Sequence, residues 1–158
     1  MIDMTNSNGQ YKLIDKFNIQ IVTWASHQPQ LRAVRTSVFI EEQAVTPEFE
    51  WDDIDATAVH LLATLHRIDL EPQPIACLRI IDYEKIGRMA VLKGYRGRGL
   101  GAALLQEAVA ICKKYGSKSV YLSAQTHAIE FYRKAGFKQI SDEYCDVDIP
   151  HVDMQLDL

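Results

Sequence analysis

Apolar and polar positions alternate from Ile19 to Trp24, which predicts a first β-strand. The period then lengthens. Pro29, tolerated in the first turn of a helix, opens one that runs to about Glu42, with Val34, Val38 and Phe39 turned inward. From 43 to 57 no period is visible: Pro47, two aromatic residues and five acids read as one long loop, of a length that often carries function. Alternation returns over His60 to His66 and Ile75 to Asp82, an antiparallel pair joined through Asp69 to Pro74, followed by a strand from about Ile86 to Leu92. Leu100, Leu104, Ala108, Ile111 and Tyr115 recur at helical spacing, so a helix is predicted from Gly99 to Tyr115, stopped by Gly116. A strand at 119 to 124, a short helix at about 127 to 135 and two strands near 137 to 141 and 152 to 157 complete the pattern. No internal repeat, linker or low-complexity segment interrupts it.

At the end of the fourth predicted strand stands Val91-Leu92-Lys93-Gly94-Tyr95-Arg96-Gly97-Arg98-Gly99-Leu100-Gly101-Ala102. Glycine at 97, 99 and 101 lets the backbone turn tightly and bring its N–H groups close to an anion. The first-turn amides of the following helix have no intrahelical partner and aim at the same place, with the helix dipole behind them. Arg96 and Arg98 add full charges. The layout is a pyrophosphate cradle, and two kinds must be separated. Gly97-x-Gly99-x-x-Ala102 satisfies a dinucleotide-binding pattern, but that site wants an acid at the end of the next strand, and Ser119 to Ala124 ends without one. A P-loop fails because no Gly-Lys-Ser/Thr follows.

Read as Arg96-x-x-Gly99-x-Gly101, the same run resembles the Q/R-x-x-G-x-G/A motif of the GNAT acetyltransferase superfamily, where it holds the pyrophosphate of acetyl-CoA. Ala128-x-x-Phe131-Tyr132-x-Lys134-x-Gly136-Phe137 matches in spacing and order the short helix and strand start that follow there. Within the superfamily, Val38-Phe39-x-x-Glu42-Gln43, Ser123-Ala124-Gln125 and Ile149-Pro150-His151-Val152-x-Met154 resemble the small bacterial ElaA-like branch. The resemblance covers about residues 19 to 158. It implies one α+β (mixed α/β) domain: a central, mostly antiparallel mixed sheet of about seven strands flanked by helices, its fourth and fifth strands splayed to admit the cofactor's pantetheine arm.

The implied function is N-acetyl transfer from acetyl-CoA to a primary amine of a small molecule or peptide, by direct attack in a ternary complex and without a metal. The implied cofactor-binding residues are Arg96, Gly97, Arg98, Gly99, Leu100, Gly101 and Ala102 at the cradle, Met89 and Val91 for the pantetheine amides, which they would meet as an added strand, and Gln125. By position Tyr132 matches the family tyrosine near the cofactor sulfur and is the candidate general acid; a phenol of ordinary pKa about 10 keeps its proton at neutral pH. The general base has no fixed place in this superfamily. Glu42, the loop acids Glu50, Asp52, Asp53 and Asp55, His60 and His151 are the candidates, and the acids could equally attract a cationic amine. His151, beside Pro150 in a predicted turn, is the stronger one on the substrate side. Arg79 lies mid-strand, where an unpaired guanidinium is costly to bury; with Leu78 and Ile80 in the core it points to the opposite face, to clamp a substrate carboxylate or to pair with the acidic loop.

The bulk properties agree. The chain has 158 residues, 47% hydrophobic and 24% charged, as a globular domain with a proper core does. A net charge of −4 with only a local basic cluster argues against a nucleic-acid partner. Cys77, Cys112 and Cys145, odd in number and far apart, suggest reduced thiols rather than a disulfide framework or a metal site. The opening residues lack the basic start and apolar centre of a signal peptide, and no run reaches the length of a membrane span, so the expectation is a cytoplasmic protein. A homodimer is left open. Two rival readings remain: an acyl-homoserine-lactone synthase, because Arg35-x-x-Val38-Phe39 followed by Glu50-x-Asp52-x-x-Asp55 loosely resembles that group, and a module that senses acyl-CoA without turnover.

Overall fold

The computed structural model of the chain describes residues 16–158. Strands β1 (Lys16–Val22), β2 (Val59–His66), β3 (Gln73–Ile81) and β4 (Lys85–Val91) form an antiparallel run. Beyond them lie β5 (Ser119–Gln125), β6 (Lys138–Gln139), β7 (Tyr144–Asp146) and β8 (Ile149–Asp157). The spatial order is β1-β2-β3-β4-β5-β8-β6, with β7 also on β8. Alternation along β2 and β3 sends Leu61, Ala63, Leu65 and Leu78 to one face and Leu62 and Cys77 to the other. Helices α3 (Leu100–Lys114) and α4 (Ile129–Lys134) cover the first face, through Leu104, Ala108, Ile111 and Tyr132. Helix α1 (Trp24–Arg35) covers the second through Leu31 and Val34.

The sheet is mixed at one place only, where β4 runs parallel to β5. That pairing lasts for two residue pairs, Lys85 with Tyr121 and Ile86 with Leu122, whereas β5 pairs with β8 along seven. From Gly87 to Val91 and from Ser123 to Gln125 the two strands part. The expected splay of the fourth and fifth strands is therefore present, and its wide end lies at Val91 and Gln125.

Four expectations need correction. The sheet has eight strands rather than about seven. The extra strand, β7, turns into β8 through Val147 and Asp148, both at positive φ (50° and 61°); a two-residue turn of that hand favours Asn-Gly, and a β-branched residue in it hides it from the sequence. For the same reason His151 is not in a turn but on β8, opposite Gln125. The first helix begins earlier than Pro29, at Trp24, with a capping box between Thr23 and Ser26; it breaks at His27 (φ −133°), and Pro29 stands in the first turn beyond the break. Its continuation, Thr36–Glu42, is a π-helix whose wide turn closes with Gln43 N–H donating to Val38 O. The segment 43–57 is not a bare loop: it holds the short helix α2 (Pro47–Glu50) and a 3₁₀ turn at Asp53–Ala56.

Candidate active site

At the end of β4 the chain makes a 3₁₀ turn (Lys93–Tyr95) and enters the glycine loop. Gly97 and Gly99 sit at φ +75° and +79°, in the left-handed region that disfavours any residue with a Cβ. No atom lies within 4 Å of where either Cβ would stand, so the loop faces open space. Gly99 caps α3 without a side-chain acceptor, which leaves the first amides of a 15-residue helix to whatever fills that space. Both features fit an anionic ligand such as a pyrophosphate. Gly101 is different: it lies inside α3, where a Cβ would meet Phe131 at 3.5 Å and Val91 at 3.8 Å, so its role is packing. Leu100 is buried, and Ala102 lines a groove of about 400 Å³ between α3 and α4 with Leu105, Gln106, Phe131 and Lys134.

The two arginines of the loop part company. Arg98 lies over the Tyr95 ring, 5.5 Å from its centroid, and keeps its guanidinium in solvent. Arg96 is tied down: its Nε donates to Val91 O at 2.9 Å, and Nη1 and Nη2 form a bidentate pair with Glu42 at 2.8 and 2.7 Å. Those hydrogen bonds hold the Glu42 carboxyl below the usual carboxylate range, which makes it a weaker base than a lone glutamate.

Tyr132 reaches the core under the splayed strands, edge-on to Phe131 and Phe137. Only 9% of it is exposed, and burial pushes its phenol up to about 12. Met89 and Val91, on the splayed half of β4, pack on the same core.

At the wide end, Gln125 and Gln43 exchange amide hydrogen bonds of 3.2 and 2.8 Å, joining the end of β5 to the end of the π-helix. Beside Gln125 on β8, the His151 ring stacks on Tyr144, whose hydroxyl donates to Asp153 at 2.6 Å. His151 Nδ1 lies 2.7 Å from the Ile149 carbonyl oxygen. A carbonyl only accepts, so the Nδ1–H donates to it, and the tautomer this selects places the ring's lone pair on Nε2.

Of the remaining predicted residues, Glu50, Asp52, Asp55 and Arg79 join a largely buried ion cluster on the α1 face, with His60 against it. Arg35 donates to Glu50 at 2.6 Å and to Asp55 at 2.7 Å; Arg79 donates to Asp52 at 2.7 Å and to the same Asp55 oxygen at 2.9 Å. Arg88 adds contacts to Glu50 and Asp52 and to the carbonyl of Phe49. Arg79 thus takes the internal-pair role of the two foreseen for it. Asp55 and His60 are each 1% exposed, so neither reaches a substrate directly. His60 Nε2 lies 2.9 Å from Asp55 O, and burial lowers its pKa, keeping the imidazole neutral. Asp52 remains partly exposed; burial raises its pKa, but Arg79 and Arg88 outweigh that and hold it low. Asp53 is exposed. Asp55→Asn strips a charge from two buried guanidiniums and is expected to cost about 3–5 kcal/mol, read from the urea midpoint.

Arg88 was not foreseen as part of this region, and Arg35 and Gln43 were singled out only as parts of motifs, with no role given to either. For Arg35 the signal existed: Leu31, Val34, Arg35 and Val38 share one helical face. For Gln43 the pairing with Gln125 had no local signal, because its partner lies 82 residues away.

The open V beside a glycine loop defines an acyl-CoA transferase architecture, and comparison with known proteins agrees. The family model "Acetyltransferase (GNAT) domain" matches residues 34–158, and the chain belongs to that family. It is 33% identical over 139 residues to the uncharacterized N-acetyltransferase YjcF of Bacillus subtilis, covering 84% of this chain and 96% of that one. To ElaA of Escherichia coli it is 30% identical over 132 residues, covering 78% and 83%. The crystal structure of that ElaA superposes with a TM-score of 0.74 over 89% of this chain and 99% of the other, at 28% identity. A putative N-acetyltransferase from Lactobacillus plantarum gives 0.77 over 90% and 98%, at 27% identity. Among the described residues no helix is long and apolar enough to cross a membrane.

Proposed function

We propose that this protein transfers an acetyl group from acetyl-CoA to a primary amine of a small molecule or peptide, by direct attack within a ternary complex. The observation that carries the reading is the parting of β4 from β5 after two residue pairs, with the left-handed glycines 97 and 99 and the uncapped start of α3 at the end of β4. Bound acetyl-CoA supplies an activated acetyl thioester. The amides of Gly97 to Ala102 and the free guanidinium of Arg98 hold its diphosphate; backbone groups of Met89 and Val91, on the half of β4 that β5 leaves, hold the pantetheine as an added strand would be held.

Two proton movements fall to this chain's side chains. His151 Nε2 removes the proton from the acceptor ammonium, with Nδ1 anchored on Ile149 O to fix the tautomer. Tyr132 returns a proton to the departing sulfur. Burial pushes the phenol up to about 12, so it holds its proton at neutral pH and has one to give. Partly exposed Asp52 offers its carboxylate to a cationic amine, and Arg79, paired with both Asp52 and Asp55, fixes its place.

Release of free CoA thiol, followed on mixing the protein with acetyl-CoA and a panel of primary amines and amino-terminal peptides, tests the reading. At least one acceptor should raise release above the rate without amine; cofactor binding with no transfer to any of them would favour an acyl-CoA sensor. His151→Gln is expected to lower kcat about 10²-fold at pH 7, as loss of a positioned base does. That loss should shrink as pH rises and the amine loses its proton to solvent; an unchanged pH profile would acquit His151.

A further inference from the structure

Residues 42 and 43 are consecutive, yet they bind opposite sides of the V. Glu42 grips Arg96, which is itself fixed to Val91 O at the end of β4; Gln43 grips Gln125 at the end of β5. Both project from the last turn of the π-helix, whose widened backbone sets them at the wide mouth. Two side-chain pairs therefore bridge the gap that the backbone leaves open. Arg96 also opens the glycine loop, where its side chain is 41% exposed and its guanidinium is the group a bound diphosphate would recruit.

We propose that residues 42 and 43 form a strap across the splayed strands, and that Glu42 and the cofactor's pyrophosphate compete for Arg96, so that filling the cradle releases the strap and opens the acceptor side. The proposal rests on the acetyl-CoA reading above. A guanidinium satisfied bidentately by a carboxylate has to exchange that partner for a phosphate oxygen, and an exposed ion pair is weak enough to be exchanged. Glu42 then leaves Arg96 only when cofactor is present, which couples access for the amine to occupancy of the cradle. The Gln43 side chain, held by its amide pair with Gln125, follows.

Calorimetric titration of the whole protein with CoA tests this without any turnover. Glu42→Gln should tighten CoA binding about threefold to fivefold, the worth of an exposed ion pair. Glu42→Asp keeps the charge but is one methylene too short for the bidentate pair, and it should tighten binding in the same direction. Glu41→Gln, with the same change of charge and no contact to Arg96, should stay within about twofold of the unaltered protein, as a screened surface charge does. Weaker binding in Glu42→Asp and Glu42→Gln would mean that Glu42 positions Arg96 for the cofactor, and would overturn the proposal. So would unchanged affinity in Glu42→Asp, or equal tightening in Glu41→Gln, since either reduces the effect to net charge. Absence of CoA binding by the unaltered protein would remove the acetyl-CoA reading itself, an outcome distinct from these.

Discussion

Gly99→Val weakens CoA binding about 10²-fold or more while the protein still folds. Gly99 sits at φ +79°, and a β-branched residue held there costs about 1–3 kcal/mol, the upper end of which equals that factor. Space is not the obstacle, since no atom lies within 4 Å of the added Cβ. The chain relieves the strain by rotating the peptides on either side, and those peptides carry the N–H groups that the cradle presents. The fold survives because the core of the α3 face is built from Leu104, Ala108 and Ile111 further along the helix. Circular dichroism establishes folding and calorimetry the affinity; intact affinity in a folded variant would take the phosphate site away from this loop.

The second large effect is on turnover. Tyr132→Phe should lower kcat about 10²–10³-fold, within the range for loss of a positioned proton donor, with the affinity for CoA changed little. The ring stays edge-on to Phe131 and Phe137, so packing is preserved and only the hydroxyl is lost. That hydroxyl accepts and donates nothing among the described residues, which leaves it available for a ligand. Steady-state rates with a saturating amine, alongside a CoA titration, separate the two contributions. A kcat within twofold of the unaltered protein would leave the phenol a packing group.

What the sequence disclosed and what it withheld divide along the range of the interactions. The glycine loop was legible because its constraint is local: a backbone that must turn left-handed at 97 and 99 selects glycine at those positions whatever surrounds them. Arg79 was half legible, since alternation with Leu78 and Ile80 fixed its face but not its partners. The ion cluster that receives it draws on α1, α2, the 3₁₀ turn, β3 and β4, and no window of sequence contains these together. The splay was implied only by resemblance, because it consists of hydrogen bonds not made between strands 34 residues apart at their starts, Lys85 against Ser119. The strap was illegible for the same reason. Glu42 and Gln43 belong to a motif of the resemblance, but nothing in that motif points to Arg96 and Gln125 as their partners. The hairpin at Val147 and Asp148 failed differently: its residues contradict the turn they adopt.

The thermal midpoint of the purified protein with acetyl-CoA, CoA, NAD or S-adenosylmethionine tests the central claim most directly, because a ligand that binds only the folded state must raise it. Acetyl-CoA and CoA alone should do so, by several degrees at ligand concentrations well above the dissociation constant. A rise with NAD or S-adenosylmethionine and none with CoA, or no rise with any of the four, would contradict the assignment of the cradle.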